Sequence, residues 1–272
     1  ADKEPLSYAG MVVDLRKFAQ NVPALPEAYK ALGENGRAWD RYALAIHLLG
    51  KWGIAARVEI IGILGRAVVN KSTGALGVGE GSGSLKGILE RLEEYGYVCM
   101  GKLGMEKIGI GLNFYRLTPE GEGIYQAVEQ EKQVESEWAR LNRLHEGERF
   151  EEHTAACLAF AMHARRRGWG ARVLPEMEGR SVPDVVVLRN DERINVEVEL
   201  STGREEKTAK WKNLAEANCG FVALCAATAE RRERFILECR AEHLPGMATD
   251  LKTLVTPYDK VALDAELWAS TW

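Results

Sequence analysis

No stretch of this 272-residue chain approaches the roughly 20 consecutive apolar residues of a membrane-spanning helix, and no signal-peptide pattern stands at its start. Those absences set the expectation of a soluble, cytoplasmic protein. Cysteine is sparse. Cys99, Cys157, Cys219, Cys225 and Cys239 are odd in number, scattered, and mostly set in apolar runs, so buried free thiols are expected rather than disulfides. There is no Cys-x-x-Cys pair, and the five histidines form no ligand spacing, which argues against zinc. A Walker A loop is missing too. Gly74, Gly77, Gly79, Gly81 and Gly83 are followed by Lys86-Gly87 and not by Gly-Lys-Ser/Thr, so they read as a surface turn. Finally, the chain lacks net positive charge: at −4 it is not built to coat nucleic acid by bulk electrostatics. Its basic residues are local instead, at Arg165-Arg166-Arg167, at Lys207, Lys210 and Lys212, and at Arg231, Arg232 and Arg234.

What the chain does have is enough apolar content, 46%, for a sizeable core, and a length that suits two domains better than one. The most informative stretch is Pro183-Asp184-Val185-Val186-Val187-Leu188, followed after five polar residues by Ile194-Asn195-Val196-Glu197-Val198-Glu199-Leu200. Two β-branched runs about a polar turn predict a β-hairpin. Alternation puts Ile194, Val196, Val198 and Leu200 on one face, and Asn195, Glu197, Glu199 and Ser201 on the other. Glu197 and Glu199 are then about 6.5 Å apart along the strand, with Asp184 on its neighbour within side-chain reach. Helix-like segments on both sides of the hairpin suggest a sheet covered on both faces, where a row of acids needs a reason. Three converging carboxylates repel one another unless a cation neutralises them, and all-oxygen ligands suit Mg²⁺ or Mn²⁺.

These residues resemble the PD-(D/E)xK nuclease superfamily, in which Pro-Asp opens one strand and Asp/Glu-x-Lys lies on the next. Pro183-Asp184 and Glu197 fit that pattern, while Glu199 stands where the family usually has lysine. Some members carry Glu-x-Glu there and others move the lysine to the following helix, where Lys207 and Lys210 are available. The resemblance implies metal ligands at Asp184, Glu197 and Glu199, with a phosphate-directed lysine at Lys210 or Lys207. It also implies an extra acid from the first core helix, for which Glu152 is the first choice and Glu151 the second. His153 is open to two readings, a ligand or phosphate donor, or a capped or solvated residue at that helix start, and the second is preferred. The element order supports the resemblance: a helix at 150–167, a strand at 171–175, the hairpin, a helix at 202–218, a strand at 221–225, a helix at 229–242 and a strand at 251–255 give αβββαβ followed by α and β.

Upstream, residues 1–38 read as an N-terminal arm without chemistry. Residues 39–122 hold three helices and a hairpin, the last helix with Leu85, Ile88, Leu89 and Leu92 at i, i+3, i+4, i+7. With Phe114-Tyr115-Arg116-Leu117-Thr118-Pro119-Glu120-Gly121 after the hairpin, this order resembles a winged helix-turn-helix. That resemblance implies DNA contacts from Ser82, Ser84 and Lys86 on the third helix and from Lys102 and Lys107 on the wing. Glu90, Glu93 and Glu94 restrict any such contact to the first turn of that helix. Residues 123–145 read as a polar helical connector, and 146–272 as the nuclease-like domain. The combination is similar to the replication-relaxation family of plasmid and mobile-element proteins. The expected fold class is therefore α/β, a restriction-endonuclease-like αβββαβ core preceded by an α+β winged helix. The expected function is Mg²⁺- or Mn²⁺-dependent DNA endonuclease activity. The alternatives are a catalytically inactive DNA-binding protein on the same scaffold, or an interaction subunit of a mobile-element or defence complex. The partners implied are DNA and, through the resemblance, a second copy or other mobile-element proteins.

Overall fold

The computed structural model describes residues 7–33, 39–68, 83–105, 108–144, 151–175, 182–200, 207–255 and 257–272. The glycine-rich turn through Ser82 and the hairpin residue Lys107 lie outside these. The chain has mixed α and β content with a mixed six-stranded sheet. It divides into two compact units: residues 9–102 with 112–140, and residues 141–272 with 1–8 and 103–111. Among the described residues no helix is long and apolar enough to cross a membrane.

The first unit contains α1 (Tyr8–Gln20) from its second residue on, α2 (Trp39–Trp52), α3 (Arg57–Ala67), α4 (Gly83–Glu94), α5 (Pro119–Glu129) and the hairpin strands β1 (Val98–Met105) and β2 (Ile110–Leu117) except for their residues within 103–111, which count with the second unit. Leu85, Ile88, Leu89 and Leu92 are all buried, so the periodic stripe on α4 is its core face. Ala56 bridges to Phe114 antiparallel and so joins the hairpin. Thr118 caps α5 by accepting from the Gly121 amide, and Pro119 follows at the first helical turn, where its missing N–H is harmless. At Gly50 the α2 backbone meets the Tyr125 ring of α5 so closely that a Cβ would lie 2.2 Å from a ring carbon.

The connector expected as one helix over 123–145 is two. α5 ends where Gln130 adopts a left-handed φ of 56°, and α6 (Glu137–Leu144) begins only after an extended stretch. The reason lies in where the backbone bonds go. The Val134 amide donates to Gly50 O at 2.8 Å and the Glu137 amide to Gly53 O at 2.8 Å, so the stretch is pinned to the end of α2 and cannot close helical bonds of its own.

The N-terminal arm, expected to be without chemistry, contributes a carboxylate to a hydrogen-bond network on α2. Asp14 of α1 accepts Lys51 Nζ at 2.7 Å on Oδ1, and Trp52 Nε1 at 2.8 Å and His47 Nε2 at 3.0 Å on Oδ2. His47 Nδ1 reaches Glu129 Oε1 at 2.8 Å. Carboxylates only accept, so both ring nitrogens donate and His47 is an imidazolium, stacked on Phe18 at 4.1 Å.

The second unit is built on a sheet in the order β3-β4-β5-β6-β7-β8. After α7 (Glu151–Arg166), strands β3 (Gly170–Val173), β4 (Val185–Arg189) and β5 (Glu192–Glu199) run antiparallel. α8 (Lys207–Ala217) and α9 (Ala229–Ala241) then form the crossovers to β6 (Val222–Ala226) and β7 (Gly246–Asp250), parallel to β5 and to each other, and β8 (Ser270–Thr271) closes the edge antiparallel to β7. The β4–β5 turn is tighter than the five polar residues suggested. Arg189 pairs with Glu192, leaving Asn190 and Asp191 as a two-residue loop with φ of 52° and 64°, which is type I′ chemistry. On one face of the sheet, Trp211, Leu214, Phe235, Ile236 and Cys239 from α8 and α9 pack on Val222, Leu224, Ala226 and Ala248. Every residue of β6 is buried, as a sheet covered on both faces requires.

Two expectations fail in this unit. Leu251–Leu254 is a short helix, α10, and not a strand; the last parallel strand is Gly246–Asp250, whose terminal Asp250 accepts from the Thr253 amide at 2.8 Å and so caps α10. Arg165, Arg166 and Arg167 are not a surface basic cluster but are all buried. Arg165 donates to Ala171 O, Arg166 to Val261 O and Arg167 to Glu266 O, and Arg166 lies over the rings of Tyr8 and Tyr258. These guanidinium groups are committed to backbone carbonyls inside the fold, which removes them from any role with an external anion.

Candidate functional site

The acids converge as the strand pattern requires. The register that pairs Val185 with Val196 places Asp184 opposite Glu197, one step further out on both strands. Asp184 is held there by the backbone. Its carbonyl accepts from the Leu174 amide at 2.8 Å, and its Oδ2 accepts from the Val198 amide at 2.8 Å. Glu199 lies two residues beyond Glu197 on the same face, and the single ammonium of Lys210, from α8, spans the pair: Nζ is 2.6 Å from Glu197 Oε1 and 2.8 Å from Glu199 Oε2. The helix that crosses back over the sheet thus brings one ammonium to both acids of the strand.

The first turn of α7 contributes differently from expectation. Glu151 and Glu152 are exposed, whereas His153, expected to be solvated, turns inward. Its Nε2 donates to Val198 O at 3.0 Å and sits 3.3 Å from Asp184 Oδ2. Helical spacing does not separate the three, because Ala155 and Ala156, one turn after Glu151 and Glu152, are as fully buried as Cys157; the packing of α7 against β5, where Val198 O receives His153 Nε2, makes the difference.

Electrostatics separate the members of the cluster. Burial alone would raise the Asp184 carboxyl, but the His153 hydrogen bond and charge, the Val198 amide and Lys210 outweigh it and hold Asp184 below the usual carboxylate range. Burial raises Glu197, and the Asp184 charge beside it adds to the effect; Lys210 only partly offsets both, and the group is pushed up to about 7. His153 is raised: burial opposes its charge, and Asp184, Val198 O and Glu197 favour it more strongly. Burial, with the Asp184 and Glu197 charges, pushes the Cys157 thiol up, so it remains protonated.

Two donor sets are on offer for a cation. His153, Cys157 and Asp184 each present a ligand atom within 4.8 Å of the others. In this arrangement His153 Nε2 carries a proton committed to a carbonyl and the Cys157 sulfur is a thiol, so neither is a ready donor. Asp184 and Glu197 are the better fit. Two facing carboxyls, one of them retaining its proton towards neutral pH, form an all-oxygen pair of the kind that suits a hard divalent cation.

Lys207 opens α8, but its side chain lies outside the described set, as do Ser82, Lys107 and the side chain of Ser84. Lys86 and Lys102 are exposed. Of the other basic residues, Lys212 pairs with Glu242 at 2.7 Å, Arg232 with Asp250 at 2.8 Å and Arg234 with Glu238 at 3.4 Å. A cavity of about 290 Å³ opens beside Glu197 and Lys210. Comparison with protein-family models, with curated proteins and with solved structures returns no match to this chain.

Proposed function

We propose that this protein is a metal-dependent phosphodiesterase acting on DNA, with the cluster of Asp184, Glu197, Glu199 and Lys210 as its active site. The observation that carries the reading is the convergence of three carboxyls and one lysine at one end of the central strands β4 and β5, with Glu197 left incompletely neutralised against Asp184. Asp184 and Glu197 are the residues that would hold Mg²⁺ or Mn²⁺, which supplies polarisation of the phosphate and a more acidic water. The Val198 amide and His153 fix the Asp184 carboxylate, so its oxygens need no reorganisation on binding. Lys210 stabilises negative charge developing on the phosphate, and Glu199, at 2.8 Å from that ammonium, takes the proton of the attacking water. The element order α7-β3-β4-β5-α8-β6 supports a restriction-endonuclease-like core, and α2-α3-α4-β1-β2 with the Ala56 bridge supports a winged helix that brings DNA to it. The test is cleavage of supercoiled plasmid and branched DNA with Mg²⁺ or Mn²⁺. Wild type is expected to cut and Asp184→Ala and Glu197→Ala are not. A wild type that binds DNA and leaves every substrate intact would sink the hydrolytic reading.

A second reading, a non-catalytic DNA-binding scaffold, is favoured by one observation: Lys210 already joins Glu197 to Glu199, and His153 already contacts Asp184, so much of the charge is balanced by the chain itself. It predicts equal DNA binding with and without divalent cation.

A further inference from the structure

The cavity beside Glu197 and Lys210 lies between the start of β4, the middle of β5 and one face of α8. Its walls are of two kinds. Val182, Pro183, Leu214 and Ala217 supply aliphatic surface, and Asn195 and Asn213 supply amides. At about 290 Å³ it stands at the lower limit of small-molecule sites, which run from about 300 to 1,000 Å³, so it admits one ring system and not a whole nucleotide.

Asn195 is the informative residue. It is 5% exposed, its backbone amide donates to Asn218 Oδ1 at 2.8 Å, and its Nδ2 donates to Ala217 O at 3.0 Å. Its Oδ1 is buried without a hydrogen-bond partner. An orphaned buried acceptor is costly, and a ligand carrying an N–H donor relieves that cost. The other end of the cavity is formed by Glu197 and Lys210 themselves, so a phosphate at Lys210 has its own nucleoside within reach of these walls.

We infer that this cavity is a nucleobase subsite, which accepts one unpaired or extruded base next to the phosphate held at Lys210, with Asn195 Oδ1 as the acceptor for its exocyclic amino group. Resting as it does on the hydrolytic reading for the phosphate's position, it adds the class of substrate: a nucleotide outside the stacked duplex, in single-stranded, branched or locally opened DNA. Extruding a base costs least where it is already unpaired, which directs the site to such structures. Adenine, cytosine and guanine carry an exocyclic amino donor, whereas thymine offers only its ring N3–H, set between two carbonyls that repel the Asn195 oxygen, so the subsite favours the first three.

The test is calorimetric titration, in the presence of Mn²⁺, with deoxyadenosine 5′-monophosphate, thymidine 5′-monophosphate and 2-deoxyribose 5-phosphate. Wild type is expected to bind the adenine nucleotide about tenfold more tightly than the baseless sugar phosphate, with thymidine between them. Ala217→Leu, at an exposed position on the cavity wall, is expected to erase that difference and leave sugar phosphate and Mn²⁺ binding unchanged; Asn213→Trp, on the same wall, serves as the second variant. Equal affinities in wild type, including no measurable binding of either ligand, overturn the inference, as does a base effect that survives both substitutions. Failure of the hydrolytic reading is distinct. A base effect in a wild type that cuts no DNA leaves the subsite standing, whereas cleavage that Asp184→Ala abolishes, without a base effect, overturns the subsite alone.

Discussion

Each unit of this protein contains a buried cluster of carboxylates with a histidine and a lysine, and the two clusters behave in opposite ways. In the N-terminal unit Asp14 receives His47, Lys51 and Trp52, and Glu129 receives the other nitrogen of His47. Acids and bases alternate, no carboxylate faces another, and the Asp14 carboxyl ends far below its usual range although burial alone would raise it. In the C-terminal unit Asp184 and Glu197 face each other across two strands, and the acid that loses that contest, Glu197, is pushed up to about 7. The same residue types thus make a structural clamp in one place and a poised site in the other. Order of placement, not composition, decides the outcome, because a carboxylate beside a cation is stabilised and one beside a carboxylate is not.

The largest effect is expected in the N-terminal clamp. Asp14→Ala leaves the His47 imidazolium, the Lys51 ammonium and the Trp52 N–H without their shared acceptor, and is expected to cost about 3 kcal/mol in urea unfolding. Next comes Lys210→Met, which removes the ammonium between Glu197 and Glu199. Cleavage in single-turnover assays is expected to fall about 100-fold, while Mn²⁺ affinity is retained, since a competing cation has been removed. Loss of both would assign Lys210 a merely structural role.

A subtler change sharpens the contrast. The folded-state value of Glu197 is raised from 4.5 to about 7, so the folded protein binds that proton more tightly than the unfolded chain does. Its contribution is complete below the unfolded value and is lost as pH rises through about 7. Glu197→Gln is therefore expected to raise the urea midpoint at pH 8 relative to wild type and to leave it nearly unchanged at pH 4. The reverse ordering would show that the carboxylates are not in conflict.

The smallest effect belongs to His47. Burial opposes its charge, but the hydrogen bonds and charges of Asp14 and Glu129 prevail and raise it above 6.5. Stability from this pair is fully present below pH 6.5 and is lost as pH rises through the folded value, at no more than ~1.4 kcal/mol per pH unit for one proton. Thermal melts from pH 6 to 9 should show a shallower slope for His47→Gln than for wild type.

Much of the site was readable because strand alternation is a strict code. Once Ile194, Val196 and Val198 are buried, Glu197 and Glu199 must share the other face, and the hairpin brings Asp184 opposite. Lys210 was readable only as one of two candidates, because the spacing within a helix does not say which turn will lie over the strand. His153 was misjudged because a helix N-terminus looks solvated in one dimension, and only the packing of α7 on the sheet turns that residue inward. Arg165, Arg166 and Arg167 were read as surface charge for the same reason: the carbonyls of Ala171, Val261 and Glu266 that accept from them are 6, 95 and 99 residues away from their respective donors.

The local periodicities were already present in the order of residues: the α4 stripe of Leu85, Ile88, Leu89 and Leu92, and the alternating face of β5. Each is enforced by neighbours within a few residues. The tertiary structure alone decided which charges meet. Asp14 and Glu129 flank His47 from 33 and 82 residues away, and Lys210 comes to Glu197 and Glu199 by a helical crossover. Whether a buried charge finds a partner or a rival depends on that long-range register, and Coulomb energy at a few ångströms in a poorly screened interior makes the difference large.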